Sequence, residues 1–170
     1  MTAFLKDPHH AFVWNSGLIT HNFENLVLVV DGQVTDPTAP VNHAPVAADD
    51  SDQVIQTTID PNAEGNVITL APGVDVDPDG DSLVVVGFAA GDQSGQLSGH
   101  VGEVVEGTYG LITMQADGSW TYALRPGAPE LPTGVVGHDL FSYTVSDGHG
   151  GFDTAHLDIL VHAPPYPGAL

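Results

Sequence analysis

Aspartate recurs at every second position within the segment GVDVDPDGDSL, which covers residues 73–83. Two carboxylates about 6 Å apart repel each other by ~0.7 kcal/mol in water, and several-fold more where solvent is partly excluded. A folded loop that holds four such groups therefore needs full solvation or a compensating cation. The residues concerned are Asp75, Asp77, Asp79 and Asp81.

Calcium suits this segment because it accepts about six to eight oxygen ligands with loose angular demands. Short Asp side chains on a turning backbone can converge on such an ion together with main-chain carbonyls. Transition metals are disfavoured, since the chain has no Cys and no His stands within the segment. The segment predicts a calcium site, and the alternative is a solvated acidic turn.

An EF-hand loop is a specific rival, because DVDPDG matches the opening of that motif. The twelfth position, where an EF-hand has a bidentate Glu, is occupied by Val86. The flanking segments NVITL and SLVVVGF are typical of strands rather than helices. The EF-hand is thereby excluded.

Zinc binding and catalysis find little support in the sequence. Of the histidines near the C-terminus, His149, His156 and His162, the last two are six residues apart, which is roughly 20 Å along an extended strand. We interpret the histidines as solvent-exposed. The sequence contains no GxSxG motif and no Gly-rich phosphate loop, and its acids cluster in one loop instead of facing each other across a cleft. We therefore predict a protein that is not an enzyme.

The charge balance excludes several classes of partner. The chain has 22 acidic residues among 170, and Lys6 and Arg125 are its only Lys or Arg, so the formal net charge is −20. Nucleic acids and anionic headgroups would be repelled, since phosphate recognition requires clustered basic residues. No apolar stretch approaches the length of a membrane span, and DPHH at residues 7–10 interrupts the place of a signal-peptide core. We expect no membrane insertion and no Sec signal peptide in this chain.

Short segments with period-two alternation recur from residue 42 onward, which is typical of β-strands. The segment TYGLITMQADGSWTYAL predicts a hairpin whose two-residue turn is formed by Asp117 and Gly118. The same alternation predicts that Trp120 and Tyr122 pack in the core.

Further strands are predicted on both sides of this hairpin. Residues 140–161 predict a second hairpin around SDGHGG, and three upstream segments have strand length, at residues 53–58, 66–70 and 83–88. Six or seven strands at this spacing predict an all-β sandwich.

Residues 1–40 contain the strand-like segments AFVWNSGLI and NLVLVVDGQV, and the Pro-rich linker TDPTAPVNHAP follows. The element VNHAP recurs as VHAP after the last predicted strand, which indicates a repeat of about 120 residues. We predict an arm or a remnant of a preceding module in residues 1–40, a sandwich in residues 41–163 and a Pro-rich tail in residues 164–170. The alternative is one sandwich with an extra N-terminal hairpin. Trp14 and Tyr166 lie outside the predicted sandwich and are candidates for sugar stacking.

Four motifs, taken in order, resemble the bacterial cadherin-like and VCBS-type repeats of large surface and secreted proteins. They are NHAPVAADD at 42–50, DVDPDGDSL at 75–83, DGSWTYAL at 117–124 and HDLFSYTVSDGHGG at 138–151. The resemblance implies an immunoglobulin-like (cadherin-like) antiparallel β-sandwich, and we place residues 1–40 as a strand-rich N-terminal extension to it.

The resemblance also implies a ligand set, because cadherin-like modules share calcium between an Asn-Ala-Pro linker and Asp-containing loops. The implied ligands are Asn42, Asp77, Asp79 and Asp81, with Asp49, Asp50 and Asp147 as further contributors. The mid-domain Leu-Asp-x-Glu motif of cadherins has no counterpart here. We therefore expect one calcium site, or two, rather than a multi-calcium junction.

Together with the acidic loop, the resemblance implies a calcium-binding, non-catalytic adhesion or matrix module that acts outside the cell or at its surface, for example in a biofilm. Its expected partners are other modules, copies of itself or an exopolysaccharide. One alternative is a lectin-like module whose calcium contacts a polysaccharide directly. Another is a filament or matrix subunit whose segment NLVLVVDG pairs with a neighbouring sheet edge.

Overall fold

The computed structural model describes residues 28–30, 33–35, 40–56, 61–70 and 72–164. The chain divides into two units, Met1–Val41 and Asn42–Leu170. In the first unit, strands β1 (Leu28–Val30) and β2 (Gln33–Thr35) pair antiparallel. The segment AFVWNSGLI and the aromatic residues Trp14 and Tyr166 lie outside the described residues.

The second unit is a sandwich of two four-stranded sheets. Its strands are β3 (Asp50–Ile55), β4 (Asn62–Asn66), β5 (Val84–Ala90), β6 (Val104–Glu106), β7 (Gly110–Met114), β8 (Ser119–Leu124), β9 (Val136–Ser146) and β10 (Phe152–His162). The first sheet has the order β3-β10-β9-β5, and the second has the order β4-β8-β7-β6. The described residues contain no helix, so the predicted all-β sandwich is confirmed.

The core lies between the two sheets and follows the alternation of the sequence. In the β9–β10 hairpin, alternate residues point into the core, and Phe141, Tyr143 and Leu157 among them are fully buried. From the opposite sheet, Trp120 and Tyr122 are 5% and 2% exposed, which confirms their predicted place in the core. The ring of Phe141 lies edge-on to Tyr122, with ring centroids 6.3 Å apart.

One buried carboxylate fastens the two sheets together. Asp139 on β9 is 2% exposed and accepts hydrogen bonds from the backbone N–H groups of Thr108, Tyr109 and Gly110, at 2.6, 2.9 and 2.9 Å. The hydroxyl of Tyr122 donates a further hydrogen bond at 2.8 Å. Because the donors belong to the second sheet and its loop, this residue joins the layers as well as filling space between them.

The structure corrects two local predictions. Residues 66–70 were predicted as a strand, but the strand is Asn62–Asn66 and residues 67–69 form a turn. The turn of the β7–β8 hairpin has three residues rather than two, since the N–H of Gly118 donates to the carbonyl of Gln115 and the N–H of Gln115 donates to the carbonyl of Ser119. Only Gly118 has a positive φ there, at 81°. This geometry is that of a three-residue hairpin loop with glycine at the left-handed position.

The predicted antiparallel pairing has one exception. Strand β3 runs parallel to β10, from Asp50 beside Leu157 to Ile55 beside His162. All other strand pairs of the sandwich are antiparallel. The first and the last strand of the module are therefore neighbours in one sheet.

Candidate metal centre

Three carboxylates of the acidic loop lie close together. One carboxylate oxygen from each of Asp77, Asp79 and Asp81 lies within 4.8 Å of the others. The local backbone explains this arrangement, because the Oδ1 atom of Asp77 accepts hydrogen bonds from the N–H groups of Asp79 and Asp81 at 2.8 and 3.2 Å. Gly80 completes the turn with a φ of 81°.

The segment before this turn reverses the usual pattern of burial. Val74 and Val76 are 48% and 53% exposed, whereas Asp75 between them is only 6% exposed. Backbone hydrogen bonds fix the orientation, since Val76 pairs with Val46 in both directions, at 2.8 and 3.0 Å. The side chain of Asp75 consequently points toward the protein, and those of the two valines point toward solvent.

The second carboxylate oxygen of Asp77 has an environment that fits a cation. Its Oδ2 atom is buried and has no hydrogen-bond partner within the part of the chain that the structure describes. A buried carboxylate oxygen without a donor costs free energy, and a divalent ion would remove that cost. The three clustered side chains offer only oxygen donors, which are the ligands that calcium prefers.

The linker before β3 lies against the acidic turn. The backbone N–H of His43 donates to Asp79 Oδ2 at 2.6 Å, and His43 Nδ1 lies 2.9 Å from Asp79 Oδ1. The pKa of Asp79 lies below its usual range. The backbone hydrogen bond from His43 is the largest cause, and the hydrogen bond with the imidazole ring is the next. In return, hydrogen bonding and charge from Asp79 raise the pKa of His43. The carboxylate of Asp79 is thus ionised at neutral pH and held against the linker.

The turn between β9 and β10 also contacts the linker and the acidic turn. The side chain of Asn42 donates to Asp147 Oδ2 at 2.7 Å, and this hydrogen bond is the main reason that the pKa of Asp147 is lowered. Asp147 Oδ1 accepts from the N–H groups of His149 and Gly151 at 2.7 and 2.9 Å. A side chain at Gly151 would approach the Cα of Ala44 to 2.7 Å, so glycine lets the linker pass. His149 Nδ1 in turn lies 3.1 Å from Asp81 Oδ2.

Two other predicted ligands lie elsewhere, beneath the hydroxyl of Tyr143. That hydroxyl lies 3.2 Å from Asp75 Oδ1, 3.3 Å from Asp50 Oδ2 and 2.9 Å from the carbonyl of Ala48. A hydroxyl has one hydrogen, so it cannot satisfy all three acceptors at once. Burial raises the pKa of both carboxyls to about 6. These two residues form a pair that is separate from the three clustered carboxylates.

Asp49 also lies apart from the cluster. It is exposed, and its Oδ1 atom lies 3.1 Å from Nδ1 of His156 on β10. Of the eight predicted ligands, the structure thus brings Asp77, Asp79 and Asp81 together and sets Asn42 and Asp147 beside them. His43 and His149 are exposed, as the sequence predicted, but their carboxylate partners were not predicted. Those partners are set by tertiary contact and give no local signal.

A sandwich of two four-stranded sheets whose acidic loop contacts the linker before β3 is an immunoglobulin-like type of module. Residues 42–163 match the family model described as bacterial cadherin-like domain, and the chain belongs to that family. The family indicates an adhesion-type module of extracellular or surface proteins, and its members usually bind calcium and are typically not enzymes.

Other comparisons add little. A solved structure from Saccharophagus degradans, titled as a nucleoside hydrolase-related hypothetical protein associated with carbohydrate metabolism, is similar at 16% identity with a TM-score of 0.41. The match covers 77% of this chain and 28% of that one. No curated protein matches the chain. Among the described residues, none belongs to a helix that is long and apolar enough to cross a membrane.

Proposed function

We propose that this protein is a calcium-binding, non-catalytic adhesion or matrix module that works outside the cell. The observation that supports this proposal is the cluster of Asp77, Asp79 and Asp81, whose carboxylate oxygens lie within 4.8 Å of one another. The buried and unpartnered Oδ2 of Asp77 adds to it. In this proposal the three carboxylates hold one calcium ion, which supplies the positive charge that the acidic turn lacks.

The ion would act on the linker as well as on the loop. Asp79 is bound through its carboxylate to the backbone and ring of His43, and Asp147 is bound to Asn42. Charge neutralisation at the turn would stabilise the loop on which these contacts depend. Calcium would therefore fix the direction in which the chain enters the module, a property that a tandem or cross-linked adhesive protein needs.

Thermal unfolding in calcium and in chelator tests the metal site. A ligand that binds only the folded state at a hundredfold excess over its Kd stabilises it by about 2.7 kcal/mol. For a module of this size we expect the melting temperature to rise by ~10 °C. Magnesium, which demands stricter octahedral geometry and dehydrates reluctantly, should produce a smaller rise.

A pair of matched variants makes the test specific. Asp77→Asn keeps an oxygen at Oδ1 for the turn but removes the charge at the cluster, so most of the calcium-induced rise should disappear. Asp117→Asn is the control, because Asp117 Oδ1 accepts an equivalent hydrogen bond from Ser119 N at 3.0 Å in a turn away from the cluster. Equal melting temperatures in calcium and chelator for the unmodified chain would refute the calcium site.

The adhesive part of the proposal has a separate test. Sodium chloride only screens charge, with a Debye length of about 8 Å at physiological strength, whereas a ligated divalent ion removes charge at fixed positions and can bridge two acidic surfaces. We expect sedimentation to show association of copies in calcium and none in sodium at equal ionic strength. Identical behaviour in both salts would mean that the net charge of −20 serves solubility alone.

A further inference from the structure

The linker before β3 and the segment around the acidic turn form a short two-stranded ribbon. Val46 and Val76 are antiparallel partners whose backbones exchange two hydrogen bonds, at 2.8 and 3.0 Å. On either side of this pair, a carboxylate of the second segment accepts a hydrogen bond from a backbone N–H of the first, at 2.6 and 2.8 Å. We call residues 43–48 and 74–79 together the linker ribbon.

The outer face of the linker ribbon is apolar. Partners in an antiparallel pair point to the same side, and so do alternate residues of an extended segment. Val46, Val74 and Val76 therefore share one face, and they are 53%, 48% and 53% exposed. Ala44 and Pro78, at the next alternate positions, are exposed as well. Single apolar side chains are common on protein surfaces, whereas adjoining ones mark interaction surfaces.

A buried carboxylate on the inner side of the ribbon keeps the valines outside. Asp75, between Val74 and Val76, is 6% exposed, and its Oδ1 atom lies 3.2 Å from the hydroxyl of Tyr143. The same oxygen accepts a hydrogen bond from the N–H of Ala48 at 2.8 Å. The apolar face is therefore fixed toward solvent before any partner binds.

Carboxylates stand at both ends of this face. At one end Asp79 lies opposite His43, and at the other end Asp49 follows Ala48 with a side chain that is 73% exposed. Six residues of extended chain separate His43 from Asp49, which is about 20 Å. A partner that covers the valines thus meets negative charge at both of its ends.

The geometry points to a docking surface for a basic segment of another protein, with an apolar centre and a Lys or Arg at each end, about 20 Å apart. A second copy of this chain does not fit, because Lys6 and Arg125 are its only Lys or Arg and its net charge of −20 repels its copies. A sugar does not fit either, since aliphatic side chains offer its hydroxyls no hydrogen bond. The surface goes beyond the calcium-dependent function proposed above and does not rest on it.

Fluorescence anisotropy with labelled peptides and the full chain, in chelator at low salt, tests this inference. The probe is the peptide KKVTVTVKK, whose inner lysines are six residues apart and whose three valines fall on one side of an extended chain. We expect it to bind. The peptide KKSTSTSKK, which has the same charge without the valines, should bind about tenfold more weakly. The peptide EEVTVTVEE should not bind, because its ends carry the wrong charge.

Variants of the chain locate the binding surface. Val76→Ser should weaken the binding of KKVTVTVKK about tenfold, and Val46→Ser provides an independent second variant. Val104→Ser is the control, because Val104 lies on β6 of the second sheet and is 65% exposed. It should leave binding unchanged. Since Val46 and Val76 are exposed, their serine variants should melt at the temperature of the parent, which separates loss of binding from loss of folding.

Several results would overturn the docking surface. They are the absence of binding, equal binding of KKVTVTVKK and KKSTSTSKK, and binding that neither Val76→Ser nor Val46→Ser weakens. A dimer that sediments in chelator and that Val76→Ser dissociates would assign the face to a second copy instead. Because every measurement is made in chelator, the metal centre keeps its own melting test.

Discussion

Asp50 and Asp75 are the two carboxyls on which the pH dependence of this fold should depend most visibly. Burial raises both pKa values from about 3.9 in the unfolded chain to about 6 in the folded one. Between these values the folded state holds more protons than the unfolded state, so the free energy of unfolding falls as pH rises. The stabilisation is complete below about pH 4 and is lost through pH 6. The pKa values of Asp79 and Asp147 are lowered in the folded state. At pH values below that window, these two groups therefore make the free energy of unfolding rise as pH rises.

Asp75→Asn should therefore stabilise the protein above pH 6.5 and not at pH 4. Its Oδ1 still accepts from the N–H of Ala48, which lies 2.8 Å away in the parent, while the buried charge is gone. We expect a gain of roughly 1 to 3 kcal/mol at pH 7.5 in chelator, from a pKa shift of about 2. Urea unfolding at several pH values measures it. A variant that is less stable at every pH would contradict this account.

Repeating the measurement in calcium separates two roles of this side chain. If Asp75 acts only as a buried acid, its variant should keep the full calcium-induced rise in melting temperature. A loss of that rise would instead make Asp75 a ligand, as the sequence predicted.

Asp139 should be far less tolerant of the same substitution. Its carboxylate accepts hydrogen bonds from three successive backbone N–H groups and from the hydroxyl of Tyr122. An asparagine amide would turn a donor toward those donors, so Asp139→Asn should cost about 2 to 4 kcal/mol of unfolding free energy. Urea unfolding provides the measurement. Glu106→Gln is the control, because the exposed Glu106 pairs only weakly with Arg125, and its loss should cost less than ~1 kcal/mol.

At the level of elements, strand β5 shows how one glycine allows the following loop to pack closely on the first sheet. The pairing of β5 with β9 shifts register between Val85 and Gly87, and a Cβ at Gly87 would overlap the backbone of Leu97. Gly87→Ala should push the loop away from the sheet and cost about 1 to 3 kcal/mol. Gly80→Ala is the comparison, because a Cβ at that position meets no other atom. Its only cost is the strain of a side-chain-bearing residue at a φ of 81°, which is about 1 kcal/mol.

Thermal unfolding of the two variants tests this expectation. Gly87→Ala should melt at a lower temperature than Gly80→Ala, because only at Gly87 does the added Cβ overlap backbone atoms. If the two variants melted alike, the close approach of the loop at Gly87 would not contribute to stability.

The strands that could be predicted from sequence are those whose alternation faces a core on one side. β8, β9 and β10 are of this kind, and the aromatic residues of β8 and β9 appear inside as expected. β4, NAEGN, could not be predicted, because Asn and Gly have low strand propensity. It is a strand because it pairs with β8 and because Gly65 leaves room for the indole of Trp120.

At the acidic loop, too, the contacts set by the local sequence could be predicted and those set by the tertiary structure could not. The convergence of Asp77, Asp79 and Asp81 follows from a local turn and could be predicted from their spacing. The pairing of His43 with Asp79 spans 36 residues and depends on where the linker lies. The burial of Asp75 could not be predicted either, since an alternating Val-Asp segment predicts valine inside and aspartate outside.

For the molecule as a whole, the described core lies in the unit Asn42–Leu170. A chain that lacks residues 1–40 should therefore unfold cooperatively, with a melting temperature within a few degrees of the full chain, as measured by calorimetry. An insoluble product, or melting without a transition, would show that NLVLVV is needed to complete the sandwich.

The parallel pairing of β3 with β10 has a mechanical consequence. Force applied through the two ends of the module pulls β3 from its N-terminal end and β10 from its C-terminal end, in opposite directions along neighbouring strands. The six residue pairs between them are then loaded together in shear instead of being opened one after another. Forced unfolding is governed by the barrier to unfolding rather than by equilibrium stability. A module loaded through its two ends would thus resist tension through this backbone ladder, whatever its thermal stability.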